Sequence, residues 1–485
     1  MSRVEAKRGL ATSTASVGRN AAILAGATLF CRAGSFAVLP LILRAFSRQD
    51  YGTYSAAFAY AGLLGMLAYF GMNPIVIRDI ARGERPKGWV VFHCTAVRMV
   101  LLGVAGLALA AVGFFRHFTA QMWVLAWLAY AVVGFDAISG AVKASMQAEE
   151  RFGLMAVVEM VRKAGQWVLA IALIAAGAGI TMLAAAAAAA AGGALAAAFL
   201  VGMSREDLAD VSFAPGYAMR MLRLAAPMGV SAAFVLALEN VDIWILDNIR
   251  GVDQVGVYAA AVAFKPDFLA QSVVWAILPL AFRLGKENRE ELAQAVKRTA
   301  RYLLIGGAAL AIVFFSGGDV LVPLLAGDKY MESIRVFRIM GLSLPFVFVS
   351  FLYLHALTAV DKQIVAAVIF AGGLAVNIAV DLALVGKMGA TGAILGTLTT
   401  EILIAVAAFV SVRRLVGRHF DRQDVMTVTA VAASGAAAAL ARWAGIWDLG
   451  AIGLVVFAVM LVVLKAVGRE DAAVLARAFS RKRDA

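Results

Sequence analysis

Residues 89–115 read WVVFHCTAVRMVLLGVAGLALAAVGFF, with one formal charge, at Arg98. At a rise of about 1.5 Å per residue, a helix of this length spans ~40 Å, enough to cross a hydrocarbon core of about 30 Å. Lipid offers no partner for backbone amides, so a spanning segment must be a helix or a strand of a closed barrel. The stretch lacks the alternation of period two that marks barrel strands. It therefore predicts a transmembrane α-helix.

The same pattern recurs along the chain, whose 485 residues are 62% hydrophobic and 15% charged. Soluble domains carry about 25% charged residues. The pattern predicts an all-α integral membrane protein with about fourteen spans. They are residues 21–46, 54–77, 89–115, 122–147, 154–176, 180–203, 224–248, 256–282, 302–327, 334–360, 364–385, 390–412, 425–443 and 449–467.

The positive charge of the chain, formally +13, is concentrated between the predicted spans. With the N-terminus inside, about 29 Lys and Arg side chains fall in cytoplasmic segments and about 7 outside. The basic segments are residues 78–87, 283–301, 413–422 and 465–483. This distribution predicts an inner-membrane protein with both termini cytoplasmic, and it explains the charge without a nucleic-acid partner. Cys31, Cys94 and the four histidines lack metal-ligand spacing, so no metal or cofactor is predicted.

The chain contains an internal repeat. Residues 51–57, YGTYSAA, align with residues 255–261, VGVYAAA, and a Pro and an Arg follow each copy at similar distances. The offset of about 205 residues holds six spans, so both copies keep one orientation in the membrane. We therefore predict a six-helix lobe at 1–203, a cytoplasmic linker at 204–223, a second lobe at 224–412 and an added helix pair with a basic tail at 413–485.

Charged residues inside spans are the candidate functional residues, because each costs about 2.5–3.5 kcal/mol in lipid and so faces a bundle interior or a wet cavity. Arg32 lies ~18 Å into the first predicted span and offers a guanidinium that binds phosphate oxygens in pairs. The alternative is neutralisation by a carboxylate of its own lobe. Arg98 belongs to a second polar set, for which pairing within the lobe is favoured: Arg98, Asp136, Lys143, Glu159, Arg162 and Lys163.

The second predicted lobe carries its own charges. Glu239 and Asp242 share one face of a helix because they are three residues apart. Lys265 and Asp267 flank Pro266, which predicts a hinge in the wall of a cavity. Substrate contact and an ion pair of Lys265 with Glu239 or Asp242 both remain open.

The second predicted lobe contains two further acidic residues inside spans. Asp381 and Glu401 fit either a proton or cation site or buried, hydrogen-bonded acids.

Several segments together resemble the polysaccharide transporter (O-antigen-type flippase) family of the multidrug/oligosaccharidyl-lipid/polysaccharide exporter (MOP) superfamily. The resemblance covers nearly the whole chain. It is carried by LPLILR at 39–44, DYGTY at 50–54, RDIAR at 78–82, VDIWIL at 241–246, VGVYAAA at 255–261, GDKY at 327–330 and GATGA at 389–393.

The resemblance implies a flippase that moves an undecaprenyl-diphosphate-linked oligosaccharide across the inner membrane by alternating access, without covalent chemistry. It implies a pathway shared with glycosyltransferases and a polysaccharide polymerase. From the charges inside spans, the predicted substrate-path residues are Arg32, Arg98, Glu239, Asp242, Lys265 and Asp267, with Pro266 as the hinge. A cation or drug antiporter of the same superfamily is an alternative, favoured by Glu239 and Asp242; a non-transporting scaffold for glycan assembly is another.

Overall fold

The computed structural model describes residues 26–83, 85–208, 212–417 and 451–463, with isolated positions at 23, 426, 429, 433 and 435. Every regular element in these ranges is helical. Apart from those isolated positions, the predicted span 425–443 lies outside the described residues, as do the basic tail 465–483 and part of the predicted span 449–467. The count of fourteen spans therefore stays a prediction.

Twelve predicted spans coincide with helices. The helices are α1 (Gly26–Ala45), α2 (Arg48–Tyr69), α3 (Asn73–Ala81), α4 (Lys87–Phe115), α5 (Ala120–Ala148), α6 (Phe152–Ala175), α7 (Ile180–Gly202), α8 (Pro215–Arg250), α9 (Val252–Val262), α10 (Asp267–Glu287), α11 (Arg289–Ala326), α12 (Ser333–Ala359), α13 (Gln363–Met388), α14 (Ala390–Leu415) and α15 (Ala451–Val463). Within the described ranges, ten helical segments are long and apolar enough to cross a membrane, with α2 and α3 counted as one segment, and α9 with α10 passes the same test as a pair bent by 48°.

Local chemistry sets several of these boundaries. The hydroxyl of Ser47 accepts a hydrogen bond from the amide of Asp50 at 3.1 Å, which caps the start of α2. The hydroxyl of Thr119 accepts one from the amide of Met122 at 3.2 Å at the start of α5. Gly71 has a φ of +64°, a conformation that suits glycine, and it separates α2 from α3. The second predicted span is therefore two consecutive helices.

The eighth predicted span is also broken. Helix α9 ends at Val262 and α10 begins at Asp267, so Lys265 and Pro266 lie in the interruption. Proline lacks an amide hydrogen and disfavours a helical conformation of the residue before it, so a break between two helices suits the Lys265–Pro266 pair. The hinge at Pro266 remains a prediction.

The chain divides into two compact units. Unit 1 comprises the chain up to Phe264 together with Leu325–Lys329 and Phe370–Gly396. Unit 2 comprises Lys265–Leu324, Tyr330–Ile369 and the chain from Thr397 onward. A large apolar core in unit 1 joins α3, α4, α5, α7 and α8, and a smaller one in unit 2 joins α11 and α15. The predicted lobe boundaries stay predictions.

The two copies of the repeat contact each other inside unit 1. A Cβ atom built on Gly52 of α2 would lie 1.8 Å from the carbonyl oxygen of Val252, and one on Gly256 of α9 would lie 2.1 Å from that of Arg48. Neither methyl group fits without movement of backbone. Glycine at both positions therefore lets α2 and α9 cross at close range, as small residues do between membrane helices.

Candidate functional site: a polar cavity in unit 1

Unit 1 contains a cavity of about 320 Å³ among α2, α3, α5 and α6. One face of α5 supplies most of its wall, because positions 136, 140, 143, 144 and 147 recur at helical spacing. The lining residues are Tyr69, Asn73, Asp136, Gly140, Lys143, Ala144, Gln147, Met155 and Arg162.

The charges on this wall form a connected network. Arg162 Nη2 donates to Glu159 Oε1 at 2.6 Å, and Arg162 Nη1 lies 3.4 Å from Asp136 Oδ2. Lys143 Nζ lies 3.2 Å from Glu159 Oε2. Glu159 is thus held by two cations from two helices, and the predicted pairing within this half of the chain is found. Arg162 is only 11% exposed, so its interactions act in a medium of lower dielectric than water.

Arg98 lies beside this network, fully buried. Its Nη2 donates to Asn73 Oδ1 at 2.6 Å, and its Nη1 donates to the carbonyl oxygen of Ala137. A Cβ atom on Gly140 would lie 3.2 Å from Arg98 Nη1, so this glycine makes room for the guanidinium. Arg98 therefore orients Asn73, which lines the cavity, and ties α3 and α4 to α5.

Positive charge exceeds negative charge around the cavity. Two cations, Lys143 and Arg162, and one carboxylate, Asp136, line the cavity. Behind this lining lie the cations Arg98 and Lys163 and the carboxylate of Glu159. Lys163 Nζ donates to Gln166 Oε1 at 3.4 Å rather than to an acid. A cavity with this balance suits an anionic ligand.

Arg32 lies on α1, which packs against α6: Cys31 Sγ lies 3.9 Å from the carbonyl oxygen of Glu159. Trp167 Nε1 donates to Ser35 Oγ at 3.3 Å in the same contact. The side chain of Arg32 is exposed and has no hydrogen bond or ion pair with the part of the chain that the structure describes. The predicted neutralisation of Arg32 by a carboxylate is therefore not found among those residues.

The remaining predicted site residues have other neighbours. Lys265 Nζ lies 3.3 Å from Glu401 Oε1 in unit 2, and Asp267 accepts a hydrogen bond from Gln271 at 3.3 Å. Glu239 is exposed on α8. Asp381 and Glu401, considered together in the sequence, thus belong to different clusters.

Asp381 faces Asp242 within unit 1. Asp242 accepts a hydrogen bond from the hydroxyl of Tyr258, and neither oxygen of Asp381 has a donor among the described residues. A Cβ atom on Gly396 would lie 2.0 Å from Asp381 Oδ1, so glycine there leaves space for the carboxyl group. Two buried carboxyl groups in contact repel when both are ionised. A proton or a cation between them would remove this repulsion.

Sequence reasoning grouped Asp136, Lys143 and Arg162 but did not predict the cavity that they line, and it missed this acid pair. The spacing of Asp136, Lys143 and Gln147 on one helical face was available as a signal for the former. No local spacing links Asp242 to Asp381.

Solved structures of transporters share this fold. A structure titled as the lipid II flippase MurJ in an inward closed conformation aligns with 93% of this chain and 100% of its own, at 13% identity and a TM-score of 0.71. An inward-facing multidrug resistance MATE transporter of the MOP superfamily aligns with 78% of this chain and 93% of its own, at 12% identity and a TM-score of 0.66.

A third structure, the Vibrio cholerae MATE transporter VcmN, covers 84% of this chain and 100% of its own, at 16% identity and a TM-score of 0.58. None of the curated proteins compared with the chain matches it. The fold is that of multi-pass membrane transporters of the MOP superfamily. Residues 17–284 match the family model described as polysaccharide biosynthesis protein, and the chain belongs to that family.

Proposed function

We propose that this protein is a flippase that moves an undecaprenyl-diphosphate-linked oligosaccharide across the inner membrane by alternating access. The cationic cavity of unit 1 is the observation that carries the proposal. Family membership places the chain among polysaccharide biosynthesis proteins, and the structure titled as a lipid II flippase has the same fold. The proposed partners are the glycosyltransferases that supply the substrate and the polymerase that consumes it.

The proposed chemistry is exchange of ion-pair partners. In the empty cavity the carboxylates of Glu159 and Asp136 hold Arg162 and Lys143 in place. An arriving diphosphate offers more charge and more acceptor oxygens, and a guanidinium binds phosphate oxygens in pairs. Arg32, exposed on the neighbouring helix, adds a cation without first breaking a pair. No covalent bond is made or broken.

The test of this function is export of surface glycan in cells that lack their own flippase. The unsubstituted chain is expected to restore export. The Arg32→Gln variant is expected to restore about ten-fold less, since a charge-assisted contact contributes about 1.5–3 kcal/mol. Arg335→Gln is the matched control, because Arg335 is an exposed arginine close to the start of α12. Equal export by both variants contradicts a role of Arg32 in binding.

A second candidate function is a cation or drug antiporter, and the buried Asp242–Asp381 pair is the observation that favours it. Antiporters exchange a proton or cation for the exported compound, and such a pair offers the site. The pair also serves a flippase as a coupling site. Accumulation of cationic dyes in vesicles separates the two functions: efflux of dye without glycan export supports the antiporter.

The acid pair gives a prediction for either transporter. Asp381→Asn replaces one carboxylate by a group that donates to the other, so the shared proton or cation is no longer needed. We expect folded protein in normal yield and transport that no longer depends on the proton or sodium gradient, measured in proteoliposomes. Asp253→Asn, which affects an exposed pair with Arg48, is the control. Unchanged ion dependence in the Asp381 variant would exclude the pair as the coupling site.

A further inference from the structure

Unit 2 contains a separate cavity of about 240 Å³ between α10, α11 and α12. Its polar lining residues are Arg298, Thr299 and His355. The remainder of the lining is apolar: Val274, Ile277, Leu278, Leu280, Ala281, Leu292, Ala295, Val296, Leu352 and Ala356, together with the stem of Arg298. This cavity belongs to neither the cationic cavity nor the acid pair.

All three helices place the cavity at one membrane–water boundary. Helix α11 is ~57 Å long, well beyond the thickness of the hydrocarbon core, and its charged residues other than Asp319, which pairs with Arg338, lie in the first third, up to Arg301. Helix α10 changes from apolar to charged at Arg283, and α12 ends at Ala359 shortly before Asp361 and Lys362. The cavity therefore lies where the three helices pass from apolar to charged residues, and Arg298 is one of its lining residues on α11.

Two of the three helices around the cavity, α10 and α12, contact each other near their charged ends. A Cβ atom on Gly285 of α10 would lie 2.2 Å from the carbonyl oxygen of Ala359. This close approach narrows the cavity toward water. Leu280 and Phe282, on the same stretch of α10, are 41% and 43% exposed, as lipid-facing side chains are. The apolar interior is therefore continuous with a surface that lipid covers.

The polar groups of the cavity leave donors for an anion. Arg298 is exposed and has no hydrogen bond or ion pair with the described residues. His355 Nδ1 contacts the carbonyl oxygen of Phe351 at 2.8 Å and must donate to it, which fixes the ring beside the cavity. The hydroxyl group of Thr299 donates a hydrogen bond to the carbonyl oxygen of Ala295 at 2.9 Å. Arg298 is thus the cation poised at the mouth.

The segment of chain around the cavity, residues 283–301, also carries a net positive charge. Residues 283–301 carry six basic and three acidic side chains, and the acids are confined to positions 287–291, at the end away from the membrane. Of the basic residues, Lys297, Arg298 and Arg301 lie closest to the apolar part of α11, and Arg298 is the exposed one, whereas Arg301 is buried. Basic residues at this level attract anionic lipid by about 1 kcal/mol each.

We propose that this cavity binds an anionic phospholipid of the adjacent leaflet, with the part of one acyl chain next to the head group in the apolar interior and the phosphate on Arg298. Drug-sized ligands fill about 300–1,000 Å³, so the cavity fits part of a lipid chain rather than a whole small molecule. A free phosphate ion would use Arg298 but leave the apolar wall without a partner. A zwitterionic lipid would fill the wall but carry no net charge for the basic segment.

The experiment uses the full-length protein in detergent, titrated with phosphatidylglycerol or with phosphatidylcholine, with bound lipid counted by native mass spectrometry. We expect tight binding of one phosphatidylglycerol, and about five-fold weaker binding by Arg298→Gln, as loss of one interfacial cation predicts. Arg289→Gln, nine residues earlier in α11 and beyond the cavity, is the matched control. Ala295→Leu fills the cavity and is expected to abolish the specific binding while Arg298 remains.

Three results would overturn the proposal. The first is equal binding of phosphatidylcholine, which removes recognition of charge. The second is an equal loss of phosphatidylglycerol binding in the Arg298 and Arg289 variants, which would mean that the positive surface, and not the cavity, attracts the lipid. The third is unchanged binding in Ala295→Leu when that variant has the unfolding temperature of the parent in lipid-free detergent, which removes the cavity from the binding site.

Discussion

Replacing Arg162 by Gln is expected to lower glycan export by about ten-fold or more, because the change removes the most connected cation of the cavity. Arg162 reaches two carboxylates, and a charge-assisted hydrogen bond contributes about 1.5–3 kcal/mol. Arg162→Lys keeps the charge but loses the planar fork that binds phosphate, so an intermediate loss is expected. Export is measured in cells that lack their own flippase, relative to the amount of protein in the membrane.

The control for this prediction is Arg151→Gln, which removes an exposed cation that pairs with Glu149 at 3.5 Å after the end of α5. Export should stay near the parent level. Thermal unfolding in detergent reports whether Arg162→Gln damages the fold instead, because an uncompensated buried carboxylate is costly.

A second variant distinguishes substrate binding from ion pairing within the protein. If Arg162 only neutralises Glu159, removal of both charges in Arg162→Gln/Glu159→Gln restores export. If Arg162 binds the diphosphate, the double variant regains stability but not export. Restored export would contradict the proposed role of the cavity.

The helices could be predicted from the sequence because lipid imposes a simple rule. A backbone that crosses the membrane must satisfy its own hydrogen bonds, so apolar length alone locates the helix. The breaks were harder to place: Gly71 divides α2 from α3, and the interruption at Lys265–Pro266 divides α9 from α10. Each depends on a few residues that barely change mean hydropathy.

Features of the candidate site could be predicted from the sequence only where they depend on positions within a single helix. The depth of Arg32 follows from its position in the first span, and that residue is exposed as a ligand-binding cation requires. The neighbours of Arg98 and Asp242 are contributed by other helices, Asn73 by α3 and Asp381 by α13. Such pairings depend on how helices pack, which hydrophobic periodicity along a single segment does not encode.

The internal repeat could be recognised from the sequence, but the contact between its two helices could not. Similarity of residues 51–57 and 255–261 was visible in the sequence and indicated two related halves. The structure adds a physical reason for the glycines, since Gly52 and Gly256 each face backbone of the helix that carries the other copy. The two similar segments thus lie on helices that cross at these glycines.

Gly52→Ala is therefore expected to destabilise the protein by more than the ~1–3 kcal/mol usual for overpacking, because the new methyl group meets a carbonyl oxygen at 1.8 Å rather than a movable side chain. Gly103→Ala, within α4, is the control: its Cβ atom meets nothing within 4 Å, and alanine favours a helix by about 0.5–1 kcal/mol. The measurement is the unfolding temperature and the monodisperse fraction in detergent.

Gly256→Ala should behave like Gly52→Ala. Once one methyl group has separated α2 from α9, the second finds space already made, so the double variant should lose less than the sum of the two single losses. Strict additivity, or a Gly52 variant as stable as the Gly103 variant, would show that these glycines do not set the distance between the two helices.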